Sequence, residues 1–310
     1  VTITATSSQG DALGLYSDGE YARNALSGNV NITTTAEKGN SFGVLAQNGA
    51  SVALGSNGSS NTITATGVDS TALALDGTSS LTLSGSTMLS ADKALAGEGV
   101  VTNQGDLAVA KGTVSDFTGN YVQKAGSTLL SRDSGFFGGD VNIEQGALAV
   151  NMDDMGGVQA ANDKAMLALG RSITVADGKT LTVGTVEGES DAAVAFGADS
   201  VLVVDGKAAS QAAMIRSENG GSVAVEEGST LYIANAQVGE AYTITEGLET
   251  TEGEYWNSAN LLGNRLTEGE ITLDGDKILV SMEAKDAATV LPGVIPVRSL
   301  NTMMNNGLND

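Results

Sequence analysis

The chain has 310 residues, 15 of them basic and 37 acidic, for a net charge of −22 at neutral pH. That balance, spread without a polyacidic block, excludes the concentrated positive surface that nucleic acid binding needs. Cysteine and histidine are both absent, which excludes disulfides, thiolate nucleophiles, Ser-His-Asp or Cys-His catalysis and the usual zinc sites.

The chain opens on VTITATSSQGDALGLYSDG, where Val1, Ile3 and Ala5 alternate with Thr2, Thr4 and Thr6. Period-two alternation predicts a strand with one buried and one wet face. The same grammar returns in VNITTTAEKGNSFGVLAQNGASVALG (30–55) and in NTITATGVDSTALALDGTSSLTLSG (61–85). Ile3, Ile32 and Ile63 stand 29 and 31 residues apart, and each precedes Leu13, Phe42 or Leu73 by ten. A period of this size marks a solenoid, propeller or array. Up to three strands per repeat, with turns at Gly77 and Gly85 where positive φ is expected, cannot bury an apolar face alone. Stacking is therefore predicted, with Ile3, Ile32 and Ile63 in one column and Leu13, Phe42 and Leu73 in another. That is a parallel β-helix. Glycine at 41 residues against two prolines suits many turns, and 4% aromatics argues against propeller blades. About a dozen coils at ~4.8 Å would give a rod of roughly 55–60 Å.

From 86 to 165 the pattern is less regular. RDSGFFGG (132–139) falls short of a serine protease element, since Arg132 replaces the glycine and no histidine can activate Ser134; it reads as a turn leading to the core fillers Phe136 and Phe137. MDDMGGVQAANDKAMLAL (152–169) reads as a loop or short helix on a solenoid corner, a place for either a binding excursion or a tolerated insertion. Neither Asp153-Asp154 nor Glu226-Glu227 has calcium-loop spacing, and no Gly-Asp nonapeptide recurs. No metal and no cofactor are expected. The alternation returns at SITVADGKTLTVG (172–184) and SVAVEEGSTLYIANA (222–236), with turns at Gly178 and Gly228. Tyr232, Tyr242, Tyr255 and the single Trp256 then cluster, and they read as the core of a C-terminal cap, with sugar binding as the alternative.

GGSVAVEEGSTLYIANAQVGEAYTITEG (220–247), followed by GEITLDGDKILVSMEAKDAATVLPGVIPVRSLNTMMNNGLND, resembles the C-terminal part of the passenger of a bacterial type V autotransporter, adhesin-like and of the pertactin type. The repeats from residue 1 to about 236 look similar. The resemblance implies an all-β, right-handed parallel β-helix over 1–219, a capping part that promotes folding over 220–283, and a linker over 284–310. The linker would lead to a translocator barrel that the chain itself lacks; by its own residues that stretch reads either as a short amphipathic helix with Leu300, Met303, Met304 and Gly307 near one side or as a disordered tail. No signal peptide precedes Val1, which suggests a piece of a longer precursor. No run of 18 apolar residues occurs, so the chain is not expected to span a membrane by a helix.

The resemblance implies export to the bacterial cell surface or the medium. The expected role is adhesion to a host surface or matrix component, or self-association with the same protein on neighbouring cells. Asn61, Thr62, Thr64 and Thr66 are the candidate adhesive face, acting by weak contacts repeated down the rod. No catalytic residue is expected. A structural stalk for a missing N-terminal domain is one alternative; a polysaccharide lyase or hydrolase, needing two facing carboxylates or a basic residue, is the other.

Overall fold

Small polar residues alternating with Ile, Val and Leu favour a pleated, half-buried surface. In the computed structural model, which describes residues 1–152, 164–187, 191–250, 255–262 and 267–285, those runs form strands of a parallel β-helix. Eleven strands stack in line from Thr2–Ser7 to Leu261–Leu262 along the main path of a 14-stranded sheet. At ~4.8 Å per step they span about 48 Å. A second sheet has nine strands, and a third has five, running from Ile173–Val175 to the antiparallel strands Lys277–Ala284 and Thr267–Asp274.

Like sits on like in the interior. Ile3, Ile32, Ile63, Leu89 and Val109 are successive partners in one inward column, and Leu130, Val150, Leu169, Val204 and Ile233 form another run of inward partners further along the sheet. All except Ile3 are buried; Ile3, on the first coil, is half-buried. The expected second column is corrected by two residues. Leu13 pairs with Phe42 and Phe42 with Thr71, while Leu73 stacks on Val44 and Val44 on Leu15. Leu13 is 40% exposed because it points away from the core.

Coil size changes along the rod. The early coils carry an extra leg, the strands Ala12–Asp18, Ser41–Gln47 and Ser70–Leu75, which ends by pairing with the second half of the 12-residue strand Ser86–Gly97. Beyond it most of the leg is dropped. Met88 to Ala108 and Ala108 to Leu129 are then 20 and 21 residues, where Thr2 to Asn31 was 29. The stretch 86–150 is therefore regular, with a shorter period than the one set by the isoleucines. A tight corner makes the short coil possible. A Cβ on Gly105 would lie 2.0 Å from the Gly85 carbonyl oxygen, and one on Gly126 2.4 Å from that of Gly105, so the chain approaches itself closer than any side chain allows.

Turns fall where expected at Gly85, Gly178 and Gly228, all with positive φ; Gly77 turns without it. Residues 165–169, expected as part of a loop or helix, are instead a strand of the long sheet. The remainder of that excursion, 153–163, and the linker from 286 onward, with Leu300, Met303, Met304 and Gly307, lie outside the described residues. Parallel stacking continues past 219, through Val223–Val225 and Thr230–Ala234. The change to antiparallel pairing comes at Ala241–Glu246, which pairs with Lys277–Ala284 and through it with Thr267–Asp274.

Candidate functional site: the outward sheet face and the aromatic end

Outward positions of the first three coils are in register: Thr2, Asn31 and Thr62; Thr4, Thr33 and Thr64; Thr6, Thr35 and Thr66. Thr2, Thr4, Thr6, Asn31 and Thr66 are exposed, and Thr33, Thr35, Thr62 and Thr64 are half-buried by their neighbours. This is a flat polar ladder, with hydroxyls repeating both along and across the strands. Asn61 does not belong to it. It is 1% exposed and points inward with Ile63, accepting a hydrogen bond from the Val30 N–H at 3.3 Å and donating to the Ser84 carbonyl at 2.8 Å and Thr87 Oγ1 at 3.0 Å.

Further along, the same face becomes apolar. Thr62 is followed by Met88, Ala108, Leu129, Ala149, Ala168, Val203 and Tyr232. Met88 and Leu129 are about half exposed, whereas Ala147, Ala149, Met166, Ala168, Val201, Val203 and Ala234 form a second buried cluster with Met152 and Tyr232 packed on it. Tyr232 thus lies on the outer side of the sheet and is not part of the cap core.

The other three aromatics belong to or pack against the main core. Trp256 is buried with its ring 4.7 Å from that of Phe196, and its Nε1 donates to Ser229 Oγ at 2.9 Å. Tyr242 is buried with its hydroxyl held by the backbone of Gln237, and Tyr255 packs half-buried against the same core. The buried Trp256 and Tyr242 rings, with their polar tips satisfied, fill space and offer no open stacking platform. Phe136 and Phe137 are core fillers as expected, Phe137 stacking on Tyr121 at 4.3 Å, and Ser134 is buried against Ser131.

Carboxylates with displaced proton affinities all move downward among the described residues, the opposite of what a general acid needs. At one corner the Asn48 N–H donates to Asp76 Oδ2 at 2.5 Å and Asn48 Nδ2 to Asp18 Oδ1 at 2.6 Å, joining three coils. Desolvation pushes the Asp76 carboxyl up, but hydrogen bonds from Asn48, Ser79 and Thr78 outweigh it and hold the group at about 2. A carboxylate depressed in the folded state adds stability above its unfolded value near ~3.9 and loses it as pH falls through the folded one. The thermal midpoint of the protein should therefore exceed that of Asp76→Asn at pH 6, with the gap closing between pH 4 and 2. A gap that is constant with pH would refute the assignment.

Among the described residues no group of three or more acidic, cysteine or histidine side chains is placed to hold a metal ion, and no helix is long and apolar enough to cross a membrane. No family model, curated protein or solved structure matches the chain.

Proposed function

We propose that this chain is the β-helical passenger of a type V export system, displayed on the bacterial surface or released from it, where it acts in adhesion or self-association. The observation that supports this best is the in-register ladder of Thr2, Thr4, Thr6, Asn31, Thr33, Thr35, Thr62, Thr64 and Thr66 on one flat face. Each hydroxyl contact is weak, but contacts fixed at strand spacing engage a second regular surface together, so avidity grows with the number of coils. No catalysis is assigned to this face. Its partner is a host surface or matrix component, or the same face on a neighbouring cell.

The test displays residues 1–310 on a non-adherent bacterium through a borrowed barrel and counts aggregation and attachment against a barrel-only control. Replacing the exposed Thr4, Asn31 and Thr66 by lysine should reduce either activity by about tenfold or more, as expected when a multivalent array is broken. A folded, displayed rod that neither aggregates cells nor attaches would overturn the proposal and favour the stalk.

A further inference from the structure

Among the described residues of this acidic chain, six ion pairs engage Lys93, Lys111, Lys124, Lys179, Arg216 and Lys277. Arg132, Arg171 and Lys207 take part in none of them, yet all three line one cleft of about 600 Å³. Their convergence follows from the stacking. Leu130, Val150, Leu169 and Val204 are successive partners in the long sheet. Arg132, Arg171 and Lys207 each follow one of these partners by two or three residues, at the corner where the chain leaves the sheet. Arg171 and Lys207 stand on neighbouring floors, with Arg132 two floors before Arg171, and like charges along one corner repel unless an anion lies between them.

Arg171 carries the clearest sign of a missing counter-charge. Its Nη1 donates to the Ser172 carbonyl at 3.3 Å, while Nε and Nη2 are shielded from water and have no acceptor. Buried donors are nearly always paired, and leaving them unpaired costs free energy. Burial also lowers the proton affinity of this guanidinium. Among the described lining residues the one acid is Asp205, and both its carboxylate oxygens are hydrogen-bonded. Its Oδ1 accepts from the Ala208 N–H at 2.9 Å, and its Oδ2 faces Asn235 Nδ2 at 3.5 Å.

We propose that this cleft is an oxyanion site taking the sulfate or carboxylate of a short acidic saccharide. Asn151, Ser172 and Gln211 in the lining supply uncharged hydrogen-bonding groups suited to sugar hydroxyls. None of the described lining residues carries an aromatic ring on which a nucleobase could stack. The volume falls in the range of small-molecule sites, and the net charge of −22 opposes a long polyanion while leaving a short one to the local field. The site is independent of the threonine face, being built from coils that do not carry it.

Isothermal titration of the full chain at physiological salt with a trisulfated heparin disaccharide, digalacturonate and inorganic sulfate tests the proposal. At least one disaccharide should bind more tightly than sulfate. Arg132→Gln and Lys207→Gln, both exposed positions, should each weaken binding about fivefold to tenfold, and Arg171→Met at least as much. Lys277→Gln, remote and ion-paired with Glu246, should leave it unchanged. Absence of saccharide binding, binding no tighter than that of sulfate, or binding insensitive to Arg132→Gln and Lys207→Gln would overturn the assignment.

Discussion

Trp256→Ala should strip the C-terminal end of the rod of its protease resistance and lower stability there by about 3–5 kcal/mol, the range for removing a large buried aromatic. The ring fills the end of the core against Phe196, and its N–H is satisfied by Ser229 Oγ. A β-helix ends in unpaired strand edges and an open apolar interior, so this position guards more than its own contacts. Trp256→Phe separates the two contributions. It keeps a ring on Phe196 and loses the hydrogen bond, and it should cost about 1 kcal/mol. Timed proteolysis with mass spectrometry reads both variants; first cleavage in the N-terminal coils of Trp256→Ala, with residues 220–283 still intact, would sink the capping role.

The second large effect is expected in the middle of the rod, at Gln123→Leu. Two columns that run through aliphatic residues elsewhere turn polar here. Leu83 is followed by Asn103, Gln123 and then Ile143, and Val101 by Tyr121 and then Val141. Gln123 Oε1 accepts from Asn103 Nδ2 at 3.1 Å, Tyr121 Oη at 3.0 Å and Thr128 Oγ1 at 2.6 Å, and its amide donates to the Ala125 carbonyl. All four side chains are buried, and burial raises the Tyr121 pKa, so the phenol stays a neutral donor. Leucine matches the volume but strands the Ala125 carbonyl and at least one hydroxyl, for a loss of about 3 kcal/mol. Adding Tyr121→Phe and Thr128→Val should recover the share owed to the stranded hydroxyls, because both partners of those bonds are then gone; the Ala125 carbonyl stays unpaired, and Asn103 is kept because it also bonds the Gly105 backbone at 3.0 and 3.2 Å. Denaturant unfolding followed by hydrogen exchange in residues 100–130 measures both. A triple variant weaker than Gln123→Leu alone would refute the network account.

Most of the fold could be read from the first 85 residues. Alternation placed Ile3, Ile32 and Ile63 inward, and the constant spacing placed them in one column. The misplacements came from reading residue type over position. Asn61 has the parity of Ile63 and so points inward, as Leu231 and Ile233 send Tyr232 outward; polarity drew the first to the surface and aromaticity the second to the core. The Leu13 and Phe42 column failed for another reason. Both sides of the strand Ser41–Gln47 are largely covered, so hydrophobicity alone could not tell its two faces apart. Continuous runs such as AMLAL and SVLVV carried the signal of burial on both faces. The cationic cleft was invisible to a linear scan, since Arg132, Arg171 and Lys207 meet only through strand stacking.

The parallel stacking also sets how such a rod responds to load. Its inter-coil hydrogen bonds run along the axis, while the covalent chain winds around it. Tension applied between the two ends therefore reaches the coil interfaces in series, and the weakest interface yields first whatever the length of the rod. In shear flow, adding coils would extend reach without adding strength. The buried stitch from Asn103 through Gln123 to Thr128, which ties neighbouring short coils together, then acts as a rivet where the coils lack the extra leg that helps the first ones share the force.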